Sequence, residues 1–533
     1  MAKPKTLHPF LLAVYPPLAL YAHRINEVPF EETLPTFGGL LAIAASSFLI
    51  FWLGLRDFHK AAIVTSILLI WCFLYGPMRY FVETVLFNVS LPEGYFWSAW
   101  LLCFLVLAIR TIRSRSSLVL PTRALNAAAV ALVAWPLAGV AIDLVDRSGT
   151  GQVSAGMGPA GQGDDLEVVG TPRDIYYLIF DRYGAASTLR DEYGFDNGPF
   201  LQFLEGRGFY VADDSAANYL KTAHSLASSL NMEHITYMSE EVGEDSRDYR
   251  PLYAKIQDFS VWRLLEEEGY RYIHLGSWWA PTGRNENADE NFAGDAFDEF
   301  SSAVLKETAV RTIAKNTLGL PWLDKKVMQC QRVPAKFEKI KEVSRREEPT
   351  FLFAHFLIPH DPYVFESDGE CILGEEDHRS EREKYIDQVQ FVNRQISDVV
   401  DALLRGSQVA PIIIVQADEG PFPDRYEEDE AEFDWTEATA QEIRQKFRIL
   451  NAYYLPDEEP SGLHEKITPV NTFRIVFNEY FNGHFAPLPD KSYAFVDEEH
   501  LYQFFDVTGI VHGGPGSSAT AQAVFGSSVR QTR

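Results

Sequence analysis

The chain has 533 residues, with 47 Lys+Arg against 74 Asp+Glu and a formal net charge of −27. Its length exceeds that of a typical single domain and suffices to bury a large core. An acidic surplus of this size excludes nucleic-acid binding and close adhesion to an anionic lipid surface.

The first 147 residues differ from the rest. Apolar stretches at 9–22, 37–55, 61–81, 96–109 and 124–144 predict five transmembrane helices. The first and fourth fall short of the roughly 20 residues that cross a bilayer and must borrow flanking residues. A signal peptide is the alternative for the first. The four apolar segments that follow, and the lack of a small-residue cleavage site, favour an uncleaved helix. Lys3 and Lys5, then Arg56 and Lys60, then Arg110, Arg113, Arg115 and Arg123 occupy one set of connections. The opposite set holds Glu27, Glu31, Glu32, Glu83 and Glu93, with only Arg24 and Arg79. The positive-inside rule therefore predicts a cytoplasmic N-terminus, and five crossings place everything after Asp146 outside the cell membrane. Residues 1–150 carry a net charge of +3 and the remainder −30.

Residues 148–170 read as a linker, with six glycines between 148 and 163. From 171 to 512, short apolar runs alternate with helical patterns. Strands are predicted at 175–180, 209–212, 270–275, 351–356, 411–416 and 449–455. Helices are predicted at 199–206, 222–233, 260–268, 297–315, 379–405 and 468–481. This alternation implies an α/β/α sandwich around a mostly parallel sheet. Residues 513–533 are small and polar and are expected to be a disordered tail. Cys72 and Cys103 lie in predicted spans, whereas Cys330 and Cys371 lie where oxidation is permitted, which leaves a disulfide between them open.

Four segments place polar groups at a strand end or a helix start. IYYLIFDRYG ends a strand at Asp181, and PIIIVQADEGPFP ends another at Asp418 and Glu419. Ligand crevices of open α/β sheets lie at such strand ends. Adjacent carboxylates repel unless a cation, a proton or an Arg joins them. NYLKTAHSLASSLN puts Thr222 at a helix start, and HFLIPHDPY puts His360 in a loop between prolines. Taken singly, each has a plain structural reading: a turn or cap for Asp181, an N-cap for Thr222, a surface loop for His360 and a solvated turn for the acid pair. The acidic run 427–434 is read as a solvated loop, with calcium binding as its alternative.

Together and in this order, these motifs resemble the alkaline phosphatase and sulfatase superfamily. The likeness is closest to its membrane-bound lipoteichoic acid synthase and phosphoethanolamine transferase branch. The segments GFDNGPFLQFLEGRGFYVADDSAANY, ILNAYYLPD and ITPVNTFRIVFNEYF, and the five-span N-terminal region, carry the same likeness. The resemblance implies that Asp181, Thr222, Asp418 and Glu419 bind one divalent metal and that Thr222 is the nucleophile. It implies that His360 is catalytic, and that His274, Trp278, Arg284 and His360 contact substrate. One departure stands out: the family's strand end reads Asp-His-Gly, and here it is Asp418-Glu419-Gly420. Three carboxylates and a Thr oxygen form a hard donor set that favours Mn²⁺ or Mg²⁺ over Zn²⁺. Type I sulfatases need a C/S-x-P-x-R sequence, which is absent, so sulfate ester hydrolysis is disfavoured.

The expected function is a membrane-anchored, metal-dependent phosphotransferase. It would move a phosphoglycerol- or phosphoethanolamine-type head group from a phospholipid donor to an extracytoplasmic glycan or polyol acceptor through a phospho-Thr intermediate. A hydrolase with the same site and a non-catalytic envelope scaffold are the alternatives.

Overall fold

The computed structural model describes residues 5–89, 91–148, 166–292, 299–306, 308–316, 324–374, 377–456, 462–513, 521–522 and 524–526. The chain divides into two compact units, residues 1–152 with 296–324, and residues 153–295 with 325–533.

The first unit contains the helices His8–His23, Phe30–Leu55, Phe58–Phe73, Glu93–Arg113 and Val119–Ser148. Among the described residues, three helices are long and apolar enough to cross a membrane, Phe30–Leu55, Gly94–Arg113 and Val119–Val145. The count rises to four if Phe58–Phe73 and Tyr75–Phe87, bent by 58°, form one span. The predicted number was five. His8–His23, at 16 residues, is too short for that length criterion, although it packs against its neighbours through Ala13 and Tyr21. The predicted helix at 297–315 is two helices, Glu299–Lys306 and Ala309–Asn316. Both belong to this first unit rather than to the α/β unit in which they were expected. Phe300 and Val304 join the apolar cluster of Tyr21, Ile25 and Leu40. Arg24 pairs with Glu299 at 3.0 Å, and the Thr36 and Ser301 hydroxyls share a hydrogen bond of 2.6 Å.

The second unit is built on a seven-stranded sheet of β1 (Ile175–Phe180), β2 (Tyr210–Val211), β3 (Arg271–Leu275), β4 (Glu290–Phe292), β5 (Thr350–Phe356), β6 (Ile412–Gln416) and β7 (Asn451–Tyr454). Its order is β2-β7-β6-β1-β5-β3-β4. From β6 to β4 every pairing is parallel, while β7 runs antiparallel to both β6 and β2. All residues of β1, β5 and β6 are buried, as expected for central strands covered on both faces. A separate hairpin joins β8 (Tyr493–Phe495) to β9 (Phe504–Asp506).

The linker residues 149–165 lie outside the described residues, as do 514–520, 523 and 527–533 of the tail. The described part of that tail is ordered: Ala521 is buried, and Phe525 meets the Phe505 ring at 5.5 Å. Ala521, Val524 and Phe525 have helical spacing, which gives this short segment an apolar face to dock. Cys330 and Cys371 form a disulfide, which ties the helix Lys325–Val343 to the chain beyond β5.

Candidate functional site

The central strands bring the predicted residues to one edge of the sheet. β1 pairs with β6 so that Ile179 faces Gln416, and Asp181 and Asp418 follow two residues later, just past the strand ends. β5 flanks β1 on its other side and leads into the loop holding His360, where the Ile358–Pro359 and Asp361–Pro362 bonds are both cis. Thr222 opens the helix Thr222–Ser229, capped by extended Lys221. Below this edge, Gln416 binds Tyr177, Asn451 and Thr472 in a buried network that fixes the strand ends.

Asp181, Asp418 and Glu419 are all buried, at 2%, 3% and 2% exposure. Asp181 Oδ1, Asp418 Oδ2 and Glu419 Oε2 are buried and lack a conventional hydrogen bond. Three buried carboxylate oxygens without a protein partner at one strand edge are rare in native proteins and form a donor set that a cation would satisfy. Burial, then the neighbouring Asp418 and Glu419, holds the Asp181 carboxyl well above its ordinary range. Burial, then Glu419, pushes Asp418 up to about 7, and the Thr222 hydroxyl opposes that shift by hydrogen bonding to the carboxylate. The predicted nucleophile is therefore close enough to a predicted ligand to influence its titration.

The three carboxylates do not converge as tightly as Glu366, Asp368 and Glu370, whose ligand oxygens lie within 4.8 Å of one another on a more exposed turn. Two cations stand among them. Lys446 Nζ lies 2.9 Å from Glu419 Oε1, and Arg182 Nε lies 3.6 Å from the same oxygen. Arg182 reaches Asp361 at 3.4 Å and Glu427 at 3.6 Å, with its guanidinium 4.6 Å from the Phe422 ring centre. Burial lowers the Lys446 amine to about 8, only partly offset by Glu419.

His360 turns Nε2 toward Asp181 Oδ2 at 4.0 Å, while Nδ1 lies 3.0 Å from Asp361 Oδ1. Trp278 stands edge-on to His360 with ring centres 6.0 Å apart, and Lys325 sits over its indole at 4.6 Å. His274 and Arg284, the other predicted substrate contacts, are placed differently. His274 is buried, with Nδ1 bonded to Tyr272 Oη and Nε2 to the Thr282 carbonyl, both at 2.9 Å. Burial lowers its imidazole to about 4. Arg284 is exposed, and its carbonyl accepts from Gln257.

His355, Arg182, Lys221 and Lys446 also belong to this site. His355 Nε2 is buried, unpartnered and 3.9 Å from Asp418 Oδ2, while Nδ1 bonds Thr282 Oγ1 at 2.7 Å. Its signal was a histidine near the end of an otherwise apolar strand. Lys221 pairs with Glu430 at 2.9 Å and Glu498 at 2.8 Å. The acidic run 427–434 is thus drawn onto cations beside Asp181 and Thr222, and Asp434 caps the turn at Thr436.

No protein-family model and no curated protein matches the chain. Solved structures do. The zinc complex of the C-terminal periplasmic domain of EcEptC from Escherichia coli is 11% identical, covering 67% of this chain and 98% of that one, with a TM-score of 0.41. The integral membrane lipooligosaccharide phosphoethanolamine transferase A from Neisseria meningitidis is 12% identical over 84% of this chain and 88% of that one, at a TM-score of 0.36. A protein in the alkaline phosphatase superfamily from Vibrio parahaemolyticus is 12% identical over 63% and 77%, at 0.38.

Proposed function

We propose that the protein is a membrane-anchored, metal-dependent phosphotransferase acting outside the cytoplasm. It moves a phosphoethanolamine- or phosphoglycerol-type head group from a phospholipid to a hydroxyl of a glycan or polyol. The observation that carries this reading is the group of orphaned, buried oxygens of Asp181, Asp418 and Glu419 beside the Thr222 hydroxyl. These residues with Thr222 would hold one divalent ion. Their donors are oxygens, which favours Mn²⁺ or Mg²⁺ over Zn²⁺. When bound, the ion supplies Lewis acidity and lowers the pKa of the nucleophile.

The chain's own groups divide the remaining work. Thr222 Oγ attacks phosphorus, forming a P–O bond as the bond to the lipid alcohol breaks, and its proton passes to Asp418. His360 Nε2 faces the site because Nδ1 is held by Asp361, and it donates a proton to the departing alkoxide. An acceptor hydroxyl then attacks the phospho-Thr, giving its proton to His360 Nε2, and Thr222 leaves with the proton regained from Asp418. Trp278 borders His360 and lines the substrate side. His8–His23 supplies the fifth crossing, which the cytoplasmic N-terminus requires for an outward-facing site.

Turnover of labelled phospholipid by Thr222→Ala tests this mechanism. We expect turnover to vanish, and unchanged turnover would overturn the reading. The Glu419–Lys446 ion pair favours one second reading, a non-catalytic envelope scaffold whose acid is permanently satisfied by lysine. Divalent-metal analysis of the purified protein separates the two, since the scaffold binds none.

A further inference from the structure

Lys446 is fully buried, and its amine is fixed from three sides. It contacts Glu419 Oε1 at 2.9 Å, donates to the Gly420 carbonyl at 3.1 Å and stands 3.2 Å from the Phe422 ring centre. The backbone locks the same contact, because Gly420 N–H donates to the Lys446 carbonyl at 2.8 Å. A Cβ on Gly420 would come within 2.5 Å of the Gln445 carbonyl oxygen, so only glycine lets the turn approach this closely. The turn that carries Glu419 is therefore docked against the backbone that carries Lys446.

Among the described residues, Glu419 is the only carboxylate at ion-pair distance from Lys446. Asp181 and Asp418 have, among the described residues, no Lys or Arg at ion-pair distance; their nearest ionisable partners there are His360 at 4.0 Å and His355 at 3.9 Å. Arg182 also reaches Glu419, but Asp361 and Glu427 share it. The pairing occupies Oε1 and leaves Oε2 buried without a partner.

We infer that Lys446 is a resident counter-ion and positioning residue that makes Glu419 a one-oxygen, charge-cancelled donor, so that the site presents two net negative charges to a divalent cation instead of three. The inference rests on the metal reading proposed above. It reconciles the Asp418-Glu419 strand end with phosphotransfer: a two-charge site balances a divalent ion, leaving no surplus negative charge to repel an anionic phosphodiester. It also makes lysine and metal competitors for the same carboxylate.

The test is a charge series on the full chain in detergent, read as Mn²⁺ affinity by calorimetry with no lipid present. Lys446→Met leaves the third charge uncompensated and is expected to tighten Mn²⁺ binding about tenfold or more. Glu419→Gln removes a charge while the ammonium stays and weakens binding by a similar factor. The double variant Glu419→Gln with Lys446→Met restores the balance and returns affinity to within about threefold of wild type. A Lys446→Met affinity equal to or weaker than wild type overturns the inference, as does a double variant no tighter than Glu419→Gln alone. If the buried Met fails to fold by itself, the double variant against Glu419→Gln still decides. Wild-type protein that binds no Mn²⁺ overturns the metal reading and this inference with it, whereas binding with a flat series overturns this inference alone.

Discussion

Strand β1 lies between two acids, Asp174 before it and Asp181 after it, and they meet opposite fates. Burial raises both, Asp174 to about 6 and Asp181 well above its ordinary range. At the entry edge, Asp174 Oδ1 accepts from Thr350 N–H at 3.0 Å and Oδ2 from Tyr176 Oη at 3.3 Å. At the exit edge, Asp181 Oδ1 accepts nothing, and its nearest acids are Asp418 and Glu419. The protein satisfies the first carboxylate and leaves the second open. Orphaned oxygens, rather than burial or a shifted pKa, therefore distinguish a candidate ligand from a structural acid in this sheet.

Changes at the exit edge should abolish chemistry, and changes at the entry edge should alter only stability. The largest effect is expected for Thr222→Ala, with phospholipid turnover down by about a thousandfold or more. His360→Gln should lower turnover by about a hundredfold while leaving Mn²⁺ affinity unchanged, which separates proton transfer from metal binding. Asp418→Asn should remove the rise in melting temperature that Mn²⁺ gives the wild type, while raising the melting temperature of metal-free protein by deleting a buried charge. If Asp418→Asn kept the metal-induced rise, the two edges would not differ as described.

The smallest effect belongs to Asp174. Its folded pKa of about 6 lies above its unfolded value near 3.8, so the native state holds the proton more tightly between them. Stability is therefore lost as pH rises through that window and stays lower above it. Asp174→Asn should raise stability by about 1–3 kcal/mol at pH 8, do little at pH 4, and leave Mn²⁺ affinity untouched. A change in metal binding in that variant would erase the contrast between the edges.

Much of this site was legible in the sequence because strand ends are local events. The apolar runs before Asp181 and Asp418 predict β1 to the residue and place the start of β6 one residue early. Thr222 falls where the helix begins, since Ala, Ser and Leu follow it in helical order. Partners brought from afar were not legible. Lys446 lies in the helix Ala440–Phe447, where one lysine looks like any solvated charge. The pairing of Glu427 with Arg182 and of Glu430 with Lys221 likewise depends on chain folding. His274 was placed at a strand end, yet that position cannot reveal that Tyr272 and Thr282 occupy both ring nitrogens. The short strands β4, β8 and β9 have three residues each, too few for an alternation to register.

If the proposed function holds, the open carboxylates at the exit edge bind one divalent ion. The most direct test is the divalent-metal content of full-length protein after equilibration with Mn²⁺ and removal of free ion, compared across wild type, Asp181→Asn and Asp174→Asn. One ion per chain is expected in wild type and in Asp174→Asn, and essentially none in Asp181→Asn. A metal-free wild type, or an Asp181→Asn protein that keeps its ion, would contradict that function.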